Sequence, residues 1–355
     1  LLLTFFSLFA SSLCHECGIS NPIEDQATEG IAPLGKWPWQ VYVRTPDSMC
    51  GGTIIGERWI LTAAHCFDDQ LNGTKFDRVP LIRAGVVNIE EAAKDDFQYT
   101  NVYGVKNIFV HSNYNMETFV NDITILELER PIKYSNTIAP ICLTHEDQDV
   151  NIDQGAWIIG FGVYIDDETN ELIDETSNVL REAKIPLSRH KKCKSEWKKD
   201  DVENIICAGT HGIGAGKGDS GGPLMVQSVT GTWYQVGIVS YGKDDDKIAE
   251  GYTIGAYTSI PHYCKWIEKV TEGEAKCAEK EVEMKLLPEE YREKTEEDSE
   301  DSENKEEIDN NQEEEEEEDN DHLEYKEAEE EVEEEDDSEE KEPTWSLHDI
   351  ITNRA

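Results

Sequence analysis

The chain has 355 residues and a net charge of −45 at pH 7, which disfavours nucleic acid as a partner because like charge repels a polyanion. Residues 279–342 contain 36 acidic and 7 basic residues, so this segment alone carries −29 of the total. Its few apolar residues cannot bury enough surface to offset the chain entropy, whereas the preceding part has ordinary globular composition. We therefore expect one folded unit of about 250 residues, followed by a disordered acidic tail at residues 278–355.

The first ten residues, Leu1 to Ala10, are almost wholly apolar. This run is too short to span a bilayer and precedes small residues, which is typical of the core of a secretory signal peptide; a buried strand is the alternative. We expect a signal peptide at residues 1–14, truncated at its start because it has neither an initiator Met nor a basic leader. Nine cysteines in an exported protein predict disulfides, and cleavage after Cys14 would leave eight. The sequence thus predicts a secreted, extracellular protein without a membrane anchor.

Short apolar runs with strand-like alternation dominate the chain up to about residue 260, separated by Gly, Asn, Asp and Pro. Residues 37–43, 50–55 and 59–62 begin this series. Clear helical periodicity is scarce until residues 261–270. The pattern predicts an all-β domain of two packed barrels with a C-terminal helix.

Ser220 lies in a glycine-crowded turn that spans residues 216–222. Such a turn exposes the hydroxyl and leaves backbone N–H groups free, so it can supply a nucleophile together with its oxyanion site. Because Gly, Asp and Ser are also the commonest turn residues, an ordinary surface turn is the alternative. Two further motifs weigh against that alternative: Thr-Ala-Ala-His-Cys, which contains His65, and Asn-Asp-Ile-Thr-Ile-Leu, which contains Asp122.

In their order along the chain and in their flanking residues, these motifs resemble the catalytic triad of the trypsin (chymotrypsin-like) family of serine proteases. The resemblance covers roughly residues 26–270. The resemblance implies two packed six-stranded Greek-key barrels with a C-terminal helix and an active site between the barrels. His65 would act as general base, Asp122 would orient it, and Ser220 would attack a peptide carbonyl to form an acyl-enzyme. The backbone N–H groups of Gly218 and Ser220 would form the oxyanion hole. We expect no cofactor and no metal; ligation by His65 with Cys66 is a weak rival, because no second cluster has zinc-like spacing.

The same resemblance implies domain limits and a disulfide pattern. A propeptide-like segment would occupy residues 15–25 and the peptidase domain residues 26–277. Cys17 and Cys142 would tether these two parts, and Cys264 and Cys277 would close the C-terminal helix onto the tail. The implied bridges are Cys50–Cys66, Cys193–Cys207, Cys17–Cys142 and Cys264–Cys277.

The substrate pocket departs from the trypsin-like pattern, in which an Asp before the nucleophile selects Arg or Lys. No acidic residue occurs between Cys207 and Gly218. We expect an open, uncharged pocket that prefers a large apolar side chain; Asp244 to Asp246 or Glu250 at the rim could restore some basic preference. The implied substrate-binding residues are Gly214, Ala215, Ser240, Tyr241, Gly242 and Gly255.

The activation site also departs from the family, whose members are cut after Arg or Lys so that a new ammonium group pairs with the Asp before the nucleophile, here Asp219. The matching positions, residues 26–29, read Gln-Ala-Thr-Glu, and no basic residue lies between Cys17 and Lys36. An alternative function is therefore a zymogen-like protease homologue that acts as a binding or regulatory protein. Arg181 is a candidate substitute partner for Asp219; a solvated strand residue is the other interpretation.

Two further features concern the surface. Asn72 begins an Asn-Gly-Thr sequon in a polar loop, so we expect it to carry a glycan. The acidic tail is a solubilising spacer, a loose Ca²⁺ binder or a site for a basic protein partner, and the less acidic residues 343–351 could form a short docking motif. Otherwise we expect a monomer that meets protein or peptide substrates, without nucleic acid or membrane partners.

Overall fold

The computed structural model of the chain describes residues 17–23, 30–45, 48–68, 80–94, 101–145, 155–165, 172–173, 175–188, 193, 197, 204–209, 214–242, 254–286 and 344–346. Several sequence predictions lie outside these residues: the signal peptide at 1–14, the glycosylation site Asn72, the activation site at 26–29, the rim acids at 244–246 and 250, and most of the acidic tail.

The first half of the domain is a closed antiparallel barrel, whose strands hydrogen-bond in the order β4-β1-β2-β3-β6-β5, with β5 also pairing with β4. Buried residues along β5 alternate with more exposed ones, apart from a bulge between Val105 and Asn107, as expected of a strand with one face in the core. A short helix, α1 (Ile89–Lys94), follows β4. The strands are β1 (Gln40–Arg44), β2 (Met49–Gly56), β3 (Trp59–Thr62), β4 (Leu81–Ala84), β5 (Val102–Val110) and β6 (Thr124–Leu128).

The second half is a barrel with the strand order β11-β8-β13-β14-β15-β12, closed by a bridge between Leu187 and Ala208. Strand β7 adds to it in parallel with β14, and β9 and β10 form a separate hairpin. The two six-stranded barrels confirm the predicted fold class. These strands are β7 (Cys142–Leu143), β8 (Gly155–Gly160), β9 (Tyr164–Ile165), β10 (Leu172–Ile173), β11 (Arg181–Pro186), β12 (Ile205–Ala208), β13 (Pro223–Gln227), β14 (Trp233–Tyr241) and β15 (Gly255–Ser259).

The barrels share a buried interface, which fixes the position of one relative to the other. Trp39, immediately before β1, is fully buried, and its indole N–H donates to the sulfur of Met225 on β13 at 3.0 Å. The hydroxyl of Thr53 donates to the Gln235 side chain at 2.7 Å, so that buried polar groups are satisfied across the interface. Aromatic burial of this kind dominates core energetics.

The chain leaves the second barrel through a 3-10 turn, Ile260–Tyr263, into the predicted C-terminal helix α2 (Cys264–Val270). The packed chain continues past Cys277, the predicted limit of the peptidase domain, to Met284. Ala278 donates its N–H to Leu143 at 3.1 Å, and Met284 is only 5% exposed, in the core of the second barrel. Sequence composition did not indicate this, because isolated apolar residues among acids carry no periodic signal.

A last strand, β16 (Thr344–Ser346), pairs antiparallel with β5. The structure also contains the four disulfides implied by the resemblance: Cys17–Cys142, Cys50–Cys66, Cys193–Cys207 and Cys264–Cys277. Within the described ranges, no helix combines the length and apolar character needed to cross a membrane.

Candidate active site

His65 is positioned by the end of β3 and by a disulfide. Residues Ala63 and Ala64 follow β3 and are fully buried, and His65 then begins a 3-10 turn, His65–Phe67. The neighbouring Cys66 is bridged to Cys50 on β2, which fixes this turn against the barrel wall.

Asp122 lies just before β6 and is completely buried. One carboxylate oxygen accepts the backbone N–H of His65 at 2.9 Å, and the other lies 2.7 Å from Nδ1 of the same residue. The Ser240 hydroxyl donates to this second oxygen. A buried carboxylate is stable only when it is paired and hydrogen-bonded, and these contacts supply both requirements.

The environment of the imidazole sets its basicity. Burial lowers the pKa of His65, but the charge of Asp122, the hydrogen bond with Asp122 and the charge of Asp68 together outweigh burial, so that the pKa lies above the ordinary 6.5. Because Asp122 engages Nδ1, the other ring nitrogen, Nε2, is left to exchange protons with a substrate or nucleophile.

The Ser220 turn is attached to the first barrel through its backbone. The Ser220 carbonyl accepts the N–H of Gly51 on β2 at 2.7 Å, and Gly51 is the immediate neighbour of Cys50. The Cys50–Cys66 bridge therefore connects the strand that holds the serine turn with the turn that begins at His65. The three residues of the predicted triad are thus attached to one region where the barrels meet.

Glycine is required for this close approach. Gly221 has φ +77°, and a Cβ atom there would collide with the Thr62 hydroxyl and lie 2.7 Å from the Gly51 carbonyl oxygen. On the other side of the interface, a Cβ on Gly51 would lie 3.0 Å from Cα of Gly222. The glycine-crowded sequence thus has a packing reason as well as a conformational one.

The backbone donors around Ser220 divide into two groups. The N–H groups of Asp219, Gly221 and Gly222 donate to carbonyls at 3.1, 2.9 and 2.9 Å. In the described part of the chain, the N–H groups of Gly218 and Ser220 make no such bond. Two such donors beside a serine can bind a developing oxyanion.

Asp219 lies half-buried in the Ser220 turn. Its two carboxylate oxygens accept the N–H groups of Gly162 at 2.8 Å and Gly216 at 2.9 Å, and a Cβ on Gly160 or Gly162 would collide with the carboxylate. Burial raises the pKa of Asp219 to about 6, although the two backbone hydrogen bonds oppose the rise. Among the described residues, no lysine or arginine pairs with it.

Arg181 does not serve as that partner in the described structure. Its guanidinium lies over the ring of Tyr164, with 4.0 Å between Cζ and the ring centroid. The backbone of Arg181, at the start of β11, pairs with Gly160 of β8 and also bridges to Ile31.

The predicted substrate-binding residues fall into separate roles. Ala215 packs against the core of the second barrel, and Gly255 at the start of β15 lies against the ring of Tyr257. Ser240 directs its hydroxyl to Asp122, so its side chain belongs to the His–Asp pair. Gly214 is half-buried at the edge of an undescribed segment, and Gly242 follows β14 at the edge of another.

Sequence reasoning missed an aromatic group beside the imidazole. The Phe119 ring lies edge-on to His65, with 5.8 Å between centroids, and Phe119 also contacts Tyr241 at 5.6 Å. Trp197 packs edge-on against Tyr241 at 4.8 Å. Phe119 has φ +57°, which is uncommon outside glycine and is typical of residues held in place by their surroundings. The sequence gave no signal for this contact, because the three aromatic residues are far apart in the chain.

Cys50, His65 and Cys66 bring three potential metal-ligand atoms within 4.8 Å of one another. Both cysteines are bound to each other in a disulfide, so neither offers a thiolate. The residues present therefore do not fit a metal centre at this position.

The paired barrels, the His65–Asp122 pair and the serine turn between them define a serine protease domain of the chymotrypsin type. Residues 31–267 match the family model described as "Trypsin", and the chain therefore belongs to the trypsin family. Coagulation factor XI of Bos taurus is 34% identical over 247 residues, an alignment that covers 67% of this chain and 36% of that relative. The chain thus spans about a third of the length of the relative it matches.

Proposed function

We propose that the protein is a secreted serine endopeptidase that hydrolyses peptide bonds through His65, Asp122 and Ser220. The 2.7 Å contact between His65 Nδ1 and the buried Asp122 carboxylate is the observation that carries this proposal. It fixes the imidazole and leaves Nε2 as the nitrogen that can act as base.

The chemistry proceeds in two halves. Ser220 Oγ attacks the peptide carbonyl while His65 takes its proton, and Asp122 stabilises the imidazolium without becoming protonated itself. The oxyanion is bound by the N–H groups of Gly218 and Ser220, and His65 then returns a proton to the leaving amine. Water hydrolyses the acyl-enzyme by the same steps, with His65 again as base.

A fluorophosphonate tests this function, because only an assembled site phosphonylates its serine quickly. We expect the protein to be labelled at Ser220, located by peptide mass spectrometry, and the Ser220→Ala variant to remain unlabelled. The His65→Ala variant should be labelled at least about 10³-fold more slowly, since the base is lost. Equal labelling of the parent and the His65→Ala variant would contradict the assignment.

The specificity pocket is proposed to accept a large apolar side chain. No carboxylate is present among residues 214–218, and Gly255 leaves one wall without a side chain. Cleavage of a peptide library should therefore occur mainly after large apolar residues. Dominant cleavage after Arg or Lys would contradict this proposal. It would indicate that acidic residues at the pocket rim, Asp244 to Asp246 or Glu250, select basic side chains.

The second candidate is a zymogen-like homologue that binds or regulates. Asp219, which has no basic partner among the described residues, favours this candidate. An unpaired buried carboxylate is costly, so the oxyanion site depends on what supplies the missing positive charge. Labelling of the full secreted chain before and after N-terminal processing separates the two functions: an endopeptidase is labelled in at least one of these forms, and a homologue in neither.

Export, modification and partners complete the proposal. Four disulfides support an oxidising compartment, and an apolar start supports a signal peptide. We propose glycan attachment at Asn72, protein or peptide substrates, and a monomeric enzyme. The acidic segment would hold a basic protein or loosely bound Ca²⁺ through its charge.

A further inference from the structure

In the described part of the first barrel, strand β5 is incompletely paired along one edge. Val102 to Gly104 pair with β4, and Val105 to Val110 pair with β6 on the opposite side. Pro80 stands immediately before β4 and has no N–H, so it ends the β4 ladder at this point. On the β4 side, the backbone of residues 107–109 is therefore left as an edge that another strand can extend.

Strand β16 occupies this edge. Thr344 lies opposite Phe109, Trp345 opposite Ile108 and Ser346 opposite Asn107, in antiparallel register. Among the described residues, no other segment pairs with this side of residues 107–109.

The sequence around β16 suits this role. After Pro288, the longest stretch without Asp, Glu, Lys or Arg runs from Pro343 to His348. Thr and Trp favour strands, whereas the Glu and Asp that surround them do not. This stretch lies beyond residues 31–267, so the family match does not account for it.

We propose that residues 344–346 dock in cis on the free edge of β5 and close the acidic segment into a loop. The near end of that loop is fixed to the second barrel: Met284 bridges to Ser228, and Lys285 donates its N–H to Gln227 at 2.7 Å. The closed segment, residues 287–343, contains 33 acidic and 5 basic residues, a net charge of −28.

The energetics make this contact weak by itself and sensitive to conditions. A backbone hydrogen bond contributes only about 0.5–1.5 kcal/mol net, so three residues cannot bind an edge tightly. Attachment to the same chain raises the effective concentration of the strand at this edge, which favours the cis contact. With −28 of the total −45 in the loop, the rest of the chain carries −17, so like charge opposes docking and added salt should favour it.

Hydrogen–deuterium exchange of the full chain tests the proposal. We expect the amides of residues 344–346 to exchange about tenfold more slowly than an unpaired peptide, and this protection to increase between 20 and about 300 mM NaCl. Trp345→Pro should abolish it and also accelerate exchange at residues 107–109, because proline cannot donate to the ladder and disrupts the strand.

Glu335→Pro, which places the same residue in the acidic segment outside β16, serves as the matched control and should leave both regions protected. Exchange of residues 344–346 at the unpaired rate in the parent chain would overturn the proposal. So would unchanged exchange at residues 107–109 in the Trp345→Pro variant.

A second copy could supply the same strand in trans, and protein concentration distinguishes that arrangement. Docking in cis predicts the same protection over a hundredfold dilution and a monomeric mass in light scattering. Protection that falls on dilution together with a dimer would overturn the cis assignment. None of these readouts depends on catalysis, so the outcome is independent of the proposed peptidase activity.

Discussion

Asp122 receives hydrogen bonds on both carboxylate oxygens, and this number of contacts makes it the most constrained side chain of the site. The contact with Nδ1 holds one tautomer of His65 and stabilises its cation, whereas the Ser240 hydroxyl only supports the carboxylate. The two interactions can be separated by mutation because each involves a different partner.

We expect Asp122→Asn to lower kcat by about 10⁴-fold with little change in KM, as the same replacement does in a related protease, because an amide stabilises the wrong tautomer. Ser240→Ala, which removes a contact to the same carboxylate, should cost on the order of tenfold. Steady-state hydrolysis of one peptide by both variants provides the measurement. Similar losses in the two variants would contradict the separate roles.

The raised pKa of His65 predicts a pH profile. Only neutral His65 can act as base, so kcat/KM should rise with pH and level off above a midpoint higher than 6.5. The free energy of unfolding has the opposite pH dependence. The charged imidazole stabilises the fold below pH 6.5, and this stabilisation is lost as pH rises through the folded-state pKa. In Asp122→Asn the midpoint should fall, because the charge that raises it is gone. An unchanged midpoint would assign the shift to another group.

Asp219 predicts a second pH effect, on stability. Its pKa is about 6 in the folded protein and 3.8 in a free chain, so the folded state holds the proton more tightly. Its contribution to stability is therefore full below pH 3.8 and declines as pH rises to about 6, by an amount on the order of 3 kcal/mol. The Asp219→Asn variant should lack this decline, so the difference in the free energy of unfolding between parent and variant should change with pH in urea titrations from pH 3.5 to 7. Parallel curves for the two proteins would show that Asp219 titrates normally.

At the scale of elements, the segment after helix α2 is part of the second barrel. Met284 is 5% exposed, whereas Leu286, two residues further on, is 45% exposed. Met284→Ala should therefore lower the free energy of unfolding by about 2–4 kcal/mol, because it leaves a cavity in the core. Leu286→Ala should change it by less than about 0.5 kcal/mol. Equal effects in urea unfolding would mean that this segment is not packed in solution.

Elements that contain recognisable sequence motifs could be predicted from the sequence. Elements that depend on contacts between distant parts of the chain could not. The motifs around His65, Asp122 and Ser220 resemble those of the trypsin family, and this resemblance implied the candidate site, whereas strand-like alternation indicated two barrels. Composition predicts a disordered tail for residues 278–286, because isolated apolar residues among acids carry no periodic signal. Residues 343–351, which contain β16, are less acidic and suggest a docking motif, but nothing local indicates a strand. Likewise, nothing local indicates that the Ser240 hydroxyl would donate to Asp122.

For the whole molecule, most of the negative charge lies in one part of the chain, residues 287–343. Replacing residues 287–343 with an uncharged Gly/Ser segment of equal length should abolish binding of polylysine at 50 mM NaCl, measured by calorimetry, because it removes a charge of −28. Hydrolysis of a small uncharged peptide should be unaffected. The parent complex should weaken strongly by about 200 mM NaCl, since screened charges attract less. Equal polylysine binding by the two chains would place the basic-partner site on the folded domain.

The most direct test of the catalytic account is pre-steady-state hydrolysis of an activated ester by the processed protein. Acylation of Ser220 predicts a rapid burst of about one product molecule per protein, followed by slower turnover, and its loss in both Ser220→Ala and His65→Ala. A parent protein that shows no burst, or a burst that survives Ser220→Ala, would contradict the assignment of Ser220 as the nucleophile.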